Sequence, residues 1–337
     1  VTGGAVRESP AFVTGASGFL GRHLVRALLG AGREVYALCR EPEGMAELVH
    51  PRLRLLAGSL PDAEAYREAL GPATTVFHLA GVRPFPGVTS AELRGVNVAA
   101  TAALGRLAAE RRVARFVALS TAGIFEPAEP GAPADESCDL RPAASATTYL
   151  RSRLEGFRAL TTLADAGLPL VTLLPTIVFG PDRPDHPNPV TGYTRFLLRV
   201  RLDAVVGGGA APRDLVFVKD VVAGILAAEA KGRLGAAYIL GGEALSHREF
   251  NRRVLALAGR RPLLSLSLPI SWARRMARRG DRQRGFEEGA GYRAAIAALT
   301  APWRYSSGKA AAELGYRPRP FAAGMEETLA FLRAERP

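Results

Sequence analysis

Three glycines, Gly15, Gly18 and Gly21, stand three residues apart in the run Ala11-Phe12-Val13-Thr14-Gly15-Ala16-Ser17-Gly18-Phe19-Leu20-Gly21. Glycines let backbone N–H groups approach phosphate oxygens closely, and the N-terminus of a helix behind them adds partial positive charge. The ligand such a run suits is the pyrophosphate of a dinucleotide. The spacing differs from the commoner G-x-G-x-x-G, and a glycine turn opening a helix can be purely structural. Context favours the chemistry: apolar residues around Val13 predict a buried strand before the turn. Leu20, Leu24, Ala27 and Leu28 recur at helical spacing after it. No metal is expected, because His23, His50, His78, His186 and His247 show no ligand spacing, and Cys39 and Cys138 are too few and too scattered for a metal site or a disulfide framework. His78 falls on a predicted buried strand and reads as structural.

The elements that must hold this turn alternate along the chain. Strands are predicted at 33–39, 53–57, 75–80, 115–120 and 170–174, with helices at 62–70, 88–111 and 149–166. Strands separated by crossover helices make a parallel, doubly wound α/β sheet of Rossmann type. Beyond Pro175 the pattern changes. A proline-rich loop at 181–189 precedes helices at 190–201, 218–230 and 246–258, with a strand at 237–240. A basic helical stretch follows at 270–279, and a last helix at 321–333. The expected division is a dinucleotide-binding domain at 10–178, with returning segments near 215–242, and a substrate-binding lobe at 179–214 and 243–334. Ligands in open α/β sheets bind at the carboxyl ends of the strands where the order reverses.

Composition bounds the rest. With 337 residues and 48% hydrophobic content the chain can bury a large core, and no run of 18 or more apolar residues marks a membrane span. The N-terminal residues lack the apolar segment of a signal peptide, so a reduced cytoplasm is expected. The formal charge is +12, yet only Lys219, Lys231 and Lys309 of the 44 basic residues are lysine, which reads as a compositional habit. The arginines are scattered except for Arg274, Arg275, Arg278, Arg279, Arg282 and Arg284. That cluster is a solvated helix face or an anion-binding patch. Without zinc-finger spacing or an aromatic RNA-binding motif, nucleic acid is not an expected partner.

Eight segments in order resemble the extended short-chain dehydrogenase/reductases of the NAD(P)-dependent epimerase/dehydratase group. They are TGASGFLG (14–21), FHLAG (77–81), VNVAAT (96–101), LSTAGIF (119–125), Tyr149-x-x-Ser152, LLPTIVFGP (173–181), FVKDVV (217–222) and KAAAELGYRPRP (309–320). Within the group the tail and the apolar lid are similar to the 3β-hydroxysteroid dehydrogenase and dihydroflavonol reductase branch. The resemblance implies a Ser/Thr–Tyr–Lys catalytic set. Thr121 matches the hydroxyl that holds the reacting oxygen, although a threonine there can simply cap backbone. Tyr149 matches the general acid/base that moves a proton while hydride passes to or from the nicotinamide. The third position departs, because Arg153 stands where the family carries lysine, four residues on and on the same helix face.

For the cofactor, the resemblance implies contacts from Gly15, Ser17, Gly18, Phe19, Leu20 and Gly21 around the pyrophosphate. It adds Arg40, Ser59 and Leu60 near the adenosine and Leu79, Ala80 and Gly81 after the fourth strand. Tyr149, Arg153, Pro175 and Val178 fall on the nicotinamide side. NAD-binding members place a carboxylate after the second strand; here Cys39-Arg40 follows, and a guanidinium can pair with a 2′-phosphate. NADP(H) is therefore the expected cofactor, with NAD(H) the alternative. Sugar dehydratases place Asp-Glu after the catalytic threonine, whereas Ala122-Gly123 follows here, so dehydration is not expected. The reading is an NADP(H)-dependent ketoreductase or dehydrogenase acting on a small-molecule carbonyl or secondary alcohol, as a homodimer. A nucleotide-sugar epimerase and a catalytically weak cofactor-sensing protein stay open as alternatives. The segments 183–213 and 263–303 are the expected substrate lid.

Overall fold

A computed structural model describes residues 9–127, 129, 132–141, 147–183, 188–286 and 291–334. Its centre is a seven-stranded parallel sheet. Strand β1 (Ala11–Thr14) leads through the glycine turn into α1 (Phe19–Gly30) and β2 (Val35–Cys39), followed by β3 (Leu53–Ala57) and β4 (Thr75–His78). Next come α2 (Ser90–Arg94), a π-helical segment (Gly95–Ala100), α3 (Thr101–Glu110) and β5 (Arg115–Leu119). Helix α4 (Thr148–Asp165) and β6 (Leu170–Pro175) complete the first winding. Strand β7 (Ile177–Phe179), α5 (Pro189–Val200), β8 (Leu202–Val206), β9 (Pro212–Phe217) and α6 (Val218–Lys231) lead to β10 (Ala237–Leu240), which pairs in parallel with β6. The sheet order is β3-β2-β1-β4-β5-β6-β10. The order reverses between β1 and β4, so a crevice opens at their carboxyl ends.

Period-two alternation sorts each strand between two cores. Val13, Val35, Phe77 and Val117 face one cluster with Leu24, Val25 and Leu28 of α1 and Val221 and Ile225 of α6. Phe12, Val76 and Phe116 face the other, with Leu104 of α3 and Leu160 of α4. Arg33 and Glu229 meet inside the fold, Nη1 donating to both carboxylate oxygens at 2.8 and 2.7 Å, each side chain 3% exposed.

Two expected helices differ. The 62–70 stretch forms two 3₁₀ turns (Ala63–Ala65 and Arg67–Ala69), because Tyr66 leaves helical geometry to stack on Phe12 at 5.3 Å and donates its hydroxyl to the Leu60 carbonyl. The 88–111 helix starts at Ser90, behind a Thr89–Glu92 capping box, and carries the π-helical segment in its middle. Past β6 the chain also forms strands that the sequence reading left out. Strand β11 (Glu243–Ser246) pairs with β9, which pairs with β7, and β12 (Leu264–Leu268) pairs with β8. The remaining helices are α7 (His247–Leu257), α8 (Ile270–Arg284), α9 (Gly291–Thr300), α10 (Gly308–Leu314) and α11 (Phe321–Ala334). A separate apolar cluster around Phe179, Leu197, Phe217, Phe250, Phe321 and Met325 holds part of this half together. No described helix is long and apolar enough to cross a membrane.

Candidate functional site

The glycine turn sits at the reversal point. Gly15 is left-handed, with φ +67°, and a Cβ there would fall 2.7 Å from the Ala80 nitrogen. A Cβ on Gly21 would meet the Gly15 carbonyl at 2.1 Å. The turn is thus folded against the end of β4 on one side and the first turn of α1 on the other. Gly18 caps α1 without a side-chain bond, and the first turn holds no acidic residue. Its free N–H groups and the helix dipole face the crevice uncompensated.

Beside the turn lies a cavity of about 220 Å³, bordered by Gly15, Ser17, Gly18, Arg40, Ser59 and Leu60. Ala80 and Gly81 also line it. Val82, Val96 and Gly58 line it as well; the reading of the sequence passed over them, because nothing in their residue type signals contact with a ligand. Among the described residues Arg40 is its only charged lining residue, and it is exposed at the end of β2. Phe19 borders a separate cleft with Arg22 and His23, whose Nε2 lies 2.9 Å from the Pro181 carbonyl. Leu20, Leu79 and Val178 pack against the core, and Pro175 is buried at the end of β6. Gly21 acts through its contact with Gly15.

A polar network fixes the end of β4. The His78 ring lies 2.8 Å from Thr14 Oγ1 and 3.0 Å from Thr101 Oγ1, and Ala80 N–H donates to Thr14 Oγ1 at 3.2 Å. Burial, aided by the positive charge of Arg153, holds the His78 imidazole down at about 3, so it is neutral. Asn97 on the π-helical segment accepts from Val82 N–H at 2.8 Å and donates to the Val82 carbonyl at 3.0 Å and to Ser152 Oγ at 2.9 Å. Asn97 lies inside the VNVAAT segment, but only the structure shows that it is the clasp between the β4 loop and α4.

The other expected site residues gather at the end of β5. Thr121 Oγ1 accepts from Gly123 N–H at 3.4 Å and caps the short turn Ala122–Ile124. The capping role weighed for it is thus present, and its O–H stays free to donate elsewhere. Tyr149 lies in the first turn of α4, which is capped by Thr147 accepting from Leu150 N–H. A Cβ on Gly123 would lie 3.0 Å from Leu150, 3.5 Å from Trp303 and 3.7 Å from Thr121 Oγ1, so the start of α4 packs directly over the threonine's turn. Arg141 stacks on Trp303 at 4.9 Å and donates to the Gly123 carbonyl at 3.1 Å. Arg141 and Trp303 thus form a wall next to Thr121 that motif matching does not reveal. Arg153, 9% exposed, turns inward between β4 and β5, where Nη2 donates to the Leu119 carbonyl and Nε has no partner. Ser120 Oγ is likewise buried and unpartnered. Among the described residues no cluster of His, Cys, Asp and Glu could hold a metal; His186 lies outside the described residues.

A glycine-lined crevice at the reversal point of a parallel sheet defines a dinucleotide-binding α/β protein. The model of the NAD dependent epimerase/dehydratase family matches residues 11–241, and the chain belongs to that family. One relative is a 4-hydroxy-2-methyl-3-oxo-4-farnesyl-3,4-dihydroquinoline-1-oxide ketoreductase of Stigmatella aurantiaca, 28% identical over 80% of this chain and 79% of that protein. Sterol demethylase protein B of Methylococcus capsulatus is 32% identical over 68% of this chain and 69% of its own. Among solved structures, MoeE5 in complex with UDP-glucose and NAD superposes with a TM-score of 0.73 at 26% identity, covering 96% of this chain and 99% of that one.

Proposed function

We propose that the protein is an NADP(H)-dependent ketoreductase or dehydrogenase. The observation that carries the cofactor reading is the cavity beside the glycine turn, whose single charged lining residue among those described is Arg40. A carboxylate there would repel a 2′-phosphate, whereas a guanidinium binds it through charge-assisted hydrogen bonds. The pyrophosphate would rest on the N–H groups at the start of α1, in the cradle that Gly15 and Gly21 keep open. When bound, the nicotinamide supplies or accepts hydride.

The chain's own part is to hold the substrate oxygen and move a proton. Thr121 offers its free O–H to that oxygen, and Tyr149 gives or takes the proton at its hydroxyl. Trp303 and Arg141 bound the space on the substrate side. Arg153 is a positioning residue in this arrangement: its inward guanidinium donates to the carbonyl at the end of β5 and packs against Gly81 in the loop after β4. Similarity to a ketoreductase supports net reduction, while likeness to a structure that holds UDP-glucose and NAD keeps a nucleotide sugar as substrate, and with it epimerisation, as the second reading.

Titration with NADPH and NADH tests the cofactor assignment. NADPH should bind at least about tenfold more tightly, from about 1.4 kcal/mol of phosphate pairing, and Arg40→Asp should reverse the order. Equal affinities in the wild type would refute it. Cofactor that stays bound through purification and turns over without exchange would favour the epimerase.

A further inference from the structure

The site just described makes no use of the basic stretch near residue 280. Helix α8 buries Ala273, Ala277 and Asp281, a stripe at i, i+4 and i+8. Away from that stripe, Trp272 is 50% and Met276 53% exposed, one turn apart, with Arg275 and Arg279 on the same outer side. Strand β12 precedes the helix across Pro269 alone and leaves Leu264 and Leu266 in solvent, while Leu263 before it is 72% exposed. Single exposed hydrophobic side chains are ordinary, but several along 263–276, bordered by charge, mark a docking surface.

The charges around them are predominantly positive. Asp281, the one carboxylate of α8, is turned inward, accepting from Tyr292 N–H at 2.6 Å and from Arg293 Nε at 3.0 Å. Among the described residues no carboxylate pairs with Arg274, Arg275, Arg278, Arg279 or Arg282. From Arg260 to Arg293 the sequence holds nine arginines against Asp281, Glu287 and Glu288.

We propose that the β12–α8 surface docks on an anionic lipid bilayer. Helix α8 would lie in the plane of the headgroups, with Trp272 and Met276 in the acyl boundary. Arginine stems can run along apolar surface while their guanidinium groups reach phosphate, and an indole suits the depth of the headgroups. An acidic protein surface would satisfy the arginines but gives no role to exposed leucines, methionine and tryptophan on two successive elements; a bilayer uses both. The proposal is independent of which reaction the enzyme catalyses.

Flotation of the full chain with vesicles tests it, using phosphatidylcholine alone or mixed with phosphatidylglycerol, at low and high salt. Binding should require the anionic lipid and weaken with salt. Arg275→Gln with Arg279→Gln should lower partitioning about 25-fold, about fivefold for each arginine. Trp272→Ser with Met276→Ser should also release the protein, while both pairs keep wild-type dinucleotide affinity and Tm. In a Trp303→Phe background Trp272 is the sole tryptophan, and its emission should shift to the blue on anionic vesicles. Absence of flotation, flotation unchanged in both double variants, or binding without an emission shift would each overturn the proposal. A dimer that dissociates in Trp272→Ser with Met276→Ser, in a protein that ignores vesicles, would assign the surface to a second copy of the chain instead.

Discussion

Replacing Gly81 by alanine should expose how tightly the loop after β4 is tied to Arg153. The new Cβ would lie 2.6 Å from Arg153 Nη1 and 3.3 Å from Asn97 Oδ1, whereas ordinary contact begins at 3.4 Å. The guanidinium must therefore withdraw by about 0.8 Å. It has little room to do so, because Arg153 is buried, Nη2 is engaged by the Leu119 carbonyl, and the void beside it measures about 10 Å³. Overpacking of this kind costs about 1–3 kcal/mol, and loosening a charged hydrogen bond adds a further share, so a loss of about 2–4 kcal/mol is expected. Lysine at 153 is shorter and lacks the planar fork. In an Arg153→Lys background Gly81→Ala should cost less than about 1 kcal/mol, a coupling of at least about 1 kcal/mol. Urea unfolding of the four proteins measures the cycle, with constant m-values as the check on two-state behaviour. Costs that add within about 0.5 kcal/mol would refute the contact.

Glu229→Gln should cost about 3–5 kcal/mol by leaving the Arg33 guanidinium buried without its counter-charge, while Arg33→Met with Glu229→Leu should recover much of that loss; chemical denaturation reads both. Burial, with Arg213 adding to it, pushes the His247 imidazole down to about 4 from its ordinary 6.5. Its unfolded form binds the extra proton, so its contribution to stability is complete above pH 6.5 and is lost as the pH falls toward 4. His247→Gln should flatten the stability curve in that window by up to about 1.4 kcal/mol per pH unit. Burial raises the Asp214 carboxyl and acts in the opposite sense, but it is common to both proteins and cancels; parallel curves would refute the assignment. Tyr149→Phe should lower kcat by about 10²–10⁴ with NADPH and a ketone substrate, and Thr121→Ala should lower it too. Full activity in both variants would place the chemistry elsewhere.

The sheet and its glycine turn were legible because parallel strands buried on both faces read as apolar runs, and the crossover helices between them carry a 3.6-residue period. The second half hid more. Leu264-Ser265-Leu266-Ser267-Leu268 is a clean period-two signal for β12, yet it is only five residues long and follows a helix that prompts a helical reading. Strand β9 opens on Pro212 and carries Arg213 and Asp214, so its composition argues against a strand although its partners β7 and β11 hold it in one. At the site, spacing placed Tyr149 and Arg153 on one face of a helix but could not set the arginine's rotamer. Its inward turn depends on the space that Gly81 leaves open in the loop after β4. The Arg33–Glu229 pair spans 196 residues, a distance over which no local pattern can speak.

The network around His78 carries more than distances. Thr101 uses its one hydrogen on the Val96 carbonyl, so it can only accept from His78; the ring proton must sit on Nε2, and Nδ1 accepts from the Thr14 hydroxyl, which also accepts from Ala80 N–H. Nε2–H then donates to Thr101 Oγ1, and the Thr101 hydroxyl donates to the Val96 carbonyl at 3.1 Å. Four groups thus form a one-way chain running from β1 through β4 to the π-helical segment, with a single tautomer that fits. Moving the proton to Nδ1 would set hydrogen against hydrogen at Thr14 and lone pair against lone pair at Thr101. The rim of the cavity at Ala80 therefore owes part of its rigidity to the location of one proton. Thr14→Val, nearly the same in shape, would loosen that rim by erasing the direction of the chain while leaving its packing intact.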